Sequence, residues 1–298
     1  SLICDTRPLS RHRIATNSGL CLVVATGTCE ARAVKREVSS RVVLSVSEPA
    51  TLVFSVAVAA DYGPVDEDLA IRLAGAPLDA TEVLDLHGTR LHRVEAGTGE
   101  VVLDYAARIA GRLPPVRADA VDLIRYTRPS RYAESDALAP TAAAEFAGLA
   151  TSAELLAGVS SWVGTRLAYV GGSSLPTDGA MRTLLARQGV CRDFAHVCVA
   201  LLRGLDIPAR LVSVYAPGLN PMDFHAVAEA WVDDAWRVVD ATALAPRASL
   251  VRIATGRVAA DTAFLSILSG QVELVELDVM AVVDEFPGDD MTELVSIG

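Results

Sequence analysis

Three residue types that together can make an activated nucleophile follow one another in the second half of the chain: Cys191, His225 and Asp240. A cysteine attacks as its thiolate, and a helix N-terminus with a neighbouring imidazolium can bring a thiol pKa from about 8.5 to roughly 3.5–7.5. Cys191 stands at such a helix start. Behind it Phe194, Val197, Cys198, Leu201 and Leu205 recur at helical spacing as one apolar face, and Gly204 marks the end. Residues 225–232 and 236–240 read as a hairpin around an Asp233-Asp234 turn. In that register Asp240 faces Val227 and His225 faces Thr242. His225 and Asp240 then become diagonal neighbours on one sheet face, with Cβ atoms within about 8 Å. A slip of one residue would separate them. In such a set His225 takes the thiol proton and returns it to a leaving group, while Asp240 fixes the ring tautomer.

Taken singly, each residue has an ordinary structural reading: a buried small hydrophobe for a cysteine, a satisfied strand-edge polar group for a histidine, a turn former for an aspartate. Cys198, inside the apolar face, fits the first, and His196, His12, His87 and His92 carry no further signal. Candidates for substrate contact are Gln188, just before the cysteine, Arg252 and Arg257, either of which could bind a carboxylate, and Trp231 on the hairpin. The alternative for both arginines is a helix-capping or surface pair, and for Trp231 a hairpin pair with Trp236. There is no G-x-S-x-G elbow, no H-E-x-x-H and no phosphate loop, since Gly171-Gly172-Ser173-Ser174 lacks the lysine. No metal and no cofactor are implied.

Around these residues, 298 positions that are 51% hydrophobic suffice for about two domains. A net charge of -11 disfavours nucleic acid as a partner. The most continuous apolar stretch, residues 50–60, is short of the roughly 20 residues a membrane helix needs. Ser1 is followed by no signal-peptide pattern, so a cytoplasmic location is expected. Five scattered cysteines without a C-x-x-C pair argue for reduced thiols. Short β-branched runs at residues 21–25, 42–46, 51–59, 91–95 and 101–109 predict a β-sandwich over residues 1–112, with Gly97-Thr98-Gly99 as a hairpin loop. Residues 113–140, with four prolines, read as a linker. Residues 141–298 read as an α+β domain: helices at 141–149, 151–167 and 178–187, the cysteine helix, strands at 210–215 and in the hairpin, and a closing strand at 272–283.

The run Gly189-Val190-Cys191-Arg192-Asp193-Phe194-Ala195-His196, with Asp223-Phe224-His225-Ala226 and Val239-Asp240-Ala241-Thr242 after it, resembles the transglutaminase-like superfamily of papain-fold cysteine enzymes. Residues 129–136 also resemble the linker of bacterial members that carry an amino-terminal β domain. The resemblance implies Cys191 as nucleophile, His225 as base and Asp240 as orienter. It also implies an oxyanion donor at the Cys191 N–H, with the second donor unassigned and Gln188 a candidate. The chain departs from the family pattern at Val227, often Trp, at Ala133, often Cys, and at Val258, often Asp, which points to an altered pocket. The expected activity is acyl transfer through a thioester on Cys191 from a peptide, amide or other acyl substrate, with hydrolysis favoured. A transamidase or biosynthetic acyltransferase, and a non-catalytic binding module that keeps the triad, are the alternatives. The sequence leaves the oligomeric state open.

Overall fold

The computed structural model describes residues 34–113 and 116–298. The run at residues 21–25 and Cys4, Cys21, Cys29 and His12 lie outside the described residues. The first half forms an antiparallel β layer built on one long strand, β1 (Lys35–Phe54). It is followed by β2 (Asp66–Leu73), β3 (Ala76–Pro77), β4 (Thr81–Leu84), β5 (Arg90–Ala96) and β6 (Gly99–Ala110). Helices α1 (Ala120–Thr127), α2 (Ser135–Glu145) and α3 (Ser152–Arg166) come next, then β7 (Ala168–Tyr169), α4 (Ala180–Ala186), β8 (Gln188–Gly189) and α5 (Cys191–Gly204). The chain ends with β9 (Ala209–Tyr215), β10 (His225–Val232), β11 (Ala235–Val239), β12 (Val251–Gly256) and β13 (Leu265–Val283).

Gly97-Thr98-Gly99 does not close a hairpin. β5 and β6 lie end to end along β1, with Ala96 opposite Ala50 and Gly99 opposite Val46, so the glycines interrupt one long strand. Glycine in a strand interior marks a bulge or bend as readily as a turn. The bend runs through the neighbouring strands at the same level. β1 shifts register between Val46 and Leu52 against β13, where Gly270 takes φ +87 and sits so close that a Cβ there would stand 2.5 Å from the Pro49 carbonyl oxygen. The inward faces, among them Val42, Leu44, Leu52, Phe54, Leu103 and Tyr105, form one buried core.

β13, expected to close the second domain, pairs instead with β1 along nearly its whole length. The core of the β layer also takes in Tyr215, Val251 and Ile253 from the second half, so the two halves share buried surface. Residues 113–140 contain α1 and the start of α2, with Pro140 inside that helix. Leu138 and Ala142 of α2 bury in the same core as Leu201 and Leu202, and that packing outweighs the proline's local cost.

The second half sets α5 between α2, α3 and α4 on one side and the four-stranded sheet β11-β10-β9-β12 on the other. More than an apolar stripe is buried, since every residue from Asp193 to Arg203 is enclosed. Its polar members each find partners: Arg203 donates to the carbonyls of Ala209, Arg128 and Arg257, and His196 Nε2 accepts from the Ala259 N–H. Among the described residues no helix is long and apolar enough to cross a membrane.

Candidate active site

Cys191 is the first residue of α5 and is only partly buried. The turn that delivers it is held by Asp193, which is fully buried. One Asp193 oxygen accepts the Val190 N–H at 2.8 Å, and the other accepts the Ser174 hydroxyl at 2.9 Å. A Cβ on Gly189 would stand 2.7 Å from that of Asp193, so the close approach requires glycine. Arg192 donates to Ser174 Oγ and to the Leu175 carbonyl, which ties the loop of residues 171–175 to the start of α5.

His225 opens β10 opposite Val214 of β9. The β10–β11 hairpin has the register read from the sequence: Ala228 faces Val239, Trp231 faces Trp236, and Asp233 and Asp234 make the turn at φ 51° and 54°. Asp240, the residue after β11, therefore comes back beside His225. His225 Nε2 and Asp240 Oδ2 are 2.8 Å apart, with the residues 1% and 2% exposed. The other carboxylate oxygen accepts from the Thr242 N–H at 2.9 Å and the Thr242 hydroxyl at 2.6 Å. An ionised carboxylate only accepts, so Nε2 carries a hydrogen and the exchangeable site is Nδ1. Nδ1 is buried without a hydrogen-bond partner. Burial alone would lower the basicity of the ring, but the charge of Asp240, the Asp240 hydrogen bond and the contact with Cys191 raise it to about 10. Burial likewise opposes ionisation of Asp240, and His225 and Thr242 hold its carboxyl below the usual range. The arrangement sets a histidine made more basic, and oriented, by a buried carboxylate in the same site as a cysteine at a helix start.

A profile of the transglutaminase-like superfamily matches residues 140–241, a segment that contains all three side chains. A crystal structure of a protein from Cytophaga hutchinsonii, described as a candidate cysteine protease, is 32% identical. It superposes with a TM-score of 0.80 over 89% of this chain and 96% of that one. The chain belongs to the transglutaminase-like superfamily. An uncharacterized protein of Mycobacterium tuberculosis is 35% identical over 106 residues, covering 33% of this chain and 34% of that protein. One of Mycobacterium leprae is 27% identical over 130 residues, covering 40% and 46%. The chain thus spans less than half the length of these curated relatives. Superfamily membership carries cysteine-based catalysis as the common chemistry.

Arg252, Arg257 and Trp231 do not join this cluster, and Gln188 stands on the strand just before it. Arg252 is buried, and its guanidinium is committed to Glu229 at 2.6 Å and to Thr255 at 2.8 Å. Arg257 pairs with Asp261 at 3.0 Å, and its carbonyl accepts from Arg203, near the far end of α5 and about 18 Å along the helix from Cys191. Trp231 packs on Trp236 with ring centroids 5.5 Å apart, at the opposite end of β10 from His225. Gln188 is exposed on β8, and its amide makes no hydrogen bond to the side chains of Cys191, His225 or Asp240. One residue not singled out by sequence does brace the cysteine: Asp193, through the Val190 N–H and the Ser174 hydroxyl.

Proposed function

We propose that this chain is a cysteine-dependent acyl-transfer enzyme that forms a thioester on Cys191 from a peptide or other amide, with water as the acceptor that completes turnover. The observation that carries this reading is the enclosed His225–Asp240 pair, with Nδ1 of the ring unpaired and in the company of Cys191. Cys191 Sγ attacks the carbonyl carbon, and the C=O electron pair moves onto oxygen. When the tetrahedral adduct collapses, the C–N bond breaks and the His225 imidazolium gives its proton to the departing nitrogen. The neutral ring then takes a proton from the incoming water, which cleaves the thioester and returns the thiol. Asp240 holds the ring and stabilises its cationic form throughout. The described residues hold no cluster of side chains suited to a metal, and no step above calls for one.

Hydrolysis is favoured over transfer to an amine because the C. hutchinsonii relative, which superposes over 89% of this chain, is described as a candidate protease. The test is acylation of the full chain by 4-nitrophenyl acetate, with mass spectrometry of the Cys191 peptide and release followed in buffer and with added amine. An acetyl adduct on Cys191, slowed by His225→Ala and discharged by water, supports the proposal. Discharge only with amine makes the chain a transamidase. No adduct on Cys191 contradicts acyl transfer and favours a binding module.

A further inference from the structure

Arg192 and Asp193, the two residues after the nucleophile, fasten a surface loop as well as the start of α5. The Ser174 hydroxyl donates to Asp193 at 2.9 Å and accepts from Arg192 at 2.7 Å, and the Leu175 carbonyl accepts from Arg192 at 3.1 Å. That carbonyl also accepts from the Asp178 N–H at 3.0 Å, and the Leu175 N–H donates to the Asp178 carboxylate at 3.0 Å. Both polar groups of the Leu175 backbone are thus engaged, while the residue is 61% exposed. The chain entering the loop is fixed to the segment just before the nucleophile. The Val170 N–H donates to the Gly189 carbonyl at 2.9 Å, and Tyr169 pairs with Gly189 and lays its ring on Phe194, with centroids 5.9 Å apart. Tyr169 and Val170 are exposed as well.

One exposed leucine needs no explanation. Here three large apolar side chains stand exposed between residues 169 and 175, each anchored to a residue no more than three positions from Cys191. An apolar patch of this kind beside a reactive group marks a ligand surface. Arg192 and Asp193 lie 3.7 Å apart and balance each other, so that pair leaves no net charge beside the patch. The loop is already ordered by its own hydrogen bonds, so covering Leu175 costs little further entropy.

We propose that Leu175, with Val170 and the Tyr169 ring, is the specificity-determining surface of this site, and that it selects substrates whose acyl half carries a bulky apolar chain beside the bond that breaks. A peptide with an aliphatic or aromatic residue on the carbonyl side of that bond has this chemistry. The assignment rests on the acyl-transfer reading and names the substrate class for it.

Acylation of Cys191 by 4-nitrophenyl acetate, butanoate and hexanoate tests it, because the leaving group and the reacting carbonyl stay the same and only methylenes are added. Alkylation by iodoacetamide reads the thiol alone. Each methylene that becomes buried is worth about fourfold, so wild type should favour hexanoate over acetate by on the order of 10–10²-fold in kcat/KM. Leu175→Ser, a change at an exposed position, should cut that ratio by about fivefold or more through half-saturation, with the acetate and iodoacetamide rates changed by less than about twofold. A wild-type ratio near one overturns the proposal, and so does a preference that Leu175→Ser leaves intact. A variant that slows acetate and iodoacetamide as much as hexanoate overturns it too, since Leu175 would then act on the thiol. Wild-type protein that no ester acylates at Cys191 refutes the acyl-transfer reading itself, an outcome visible before the variant is compared.

Discussion

Replacing Glu229 by Gln should destabilise this protein by about 3–5 kcal/mol without touching Cys191, His225 or Asp240. Glu229 is fully buried on β10 between two arginines that are also enclosed. Arg210 donates to it at 2.8 Å through Nε and reaches it at 2.7 Å through Nη2, and Arg252 donates at 2.6 and 3.1 Å. The Arg210 guanidinium also lies 3.9 Å from the centre of the Trp236 ring. Burial by itself would raise the Glu229 carboxyl, but the two cations and their hydrogen bonds bring it from 4.5 down to about 2. At about 1.4 kcal/mol per pH unit, that displacement is roughly 3 kcal/mol of stability. Leaving two buried guanidiniums without their anion is in the range of about 3–5 kcal/mol measured when one partner of a buried pair is removed. Because the folded carboxyl is the more acidic, its contribution is present above pH 4.5 and is lost as pH falls toward 2. Urea unfolding of wild type and Glu229→Gln, at pH 7 and at steps down to pH 3, should show a gap that narrows on acidification. A gap below about 1 kcal/mol at pH 7, or one that does not narrow, would refute the reasoning. It would also reopen a substrate-binding role for Arg252.

Asp240→Asn should leave the fold intact but lower turnover about 10⁴-fold, because the amide no longer sustains the His225 imidazolium or its tautomer; steady-state kinetics with the acetyl ester measures it. Gly270→Ala should cost about 2 kcal/mol or more in urea unfolding. Its φ of +87 is unfavourable to any Cβ, and that Cβ would meet the Pro49 carbonyl oxygen and the Ala50 Cα at 2.5 and 2.7 Å. A loss below 0.5 kcal/mol, on the order of an ordinary surface change, would show that the bend in β1 and β13 relaxes.

The second half was legible because its signals are local. The Asp233-Asp234 turn fixes the hairpin register, and the register alone brings Asp240 next to His225. The apolar spacing after Cys191 fixes where α5 starts. Long-range pairing left no such trace. Nothing in residues 272–283 says that β13 crosses back to β1, and a Gly-x-Gly between two alternating runs reads as a turn when the strands are one bent strand. Arg252 looked available because arginine is usually solvated, while its partner Glu229, 23 residues earlier, gave no hint in a run of apolar strand residues. Asp193 was visible as the third residue of the helix after Val190, in the spacing of a side chain that reaches back to an N-terminal N–H, and that signal could have been used.

The most direct test of the central claim, that His225 and Asp240 serve Cys191 as one unit, is the rate of iodoacetamide labelling of Cys191 against pH, in wild type, His225→Ala and Asp240→Asn, with Cys198 as the internal control. Cys198 is buried, and burial holds its thiol well above the usual range, so it should stay unlabelled while the fold is intact. The account predicts rapid labelling of Cys191 near pH 6 in wild type and loss of that reactivity in both variants. Labelling of Cys191 at the rate of an ordinary thiol, indifferent to either substitution, would contradict it.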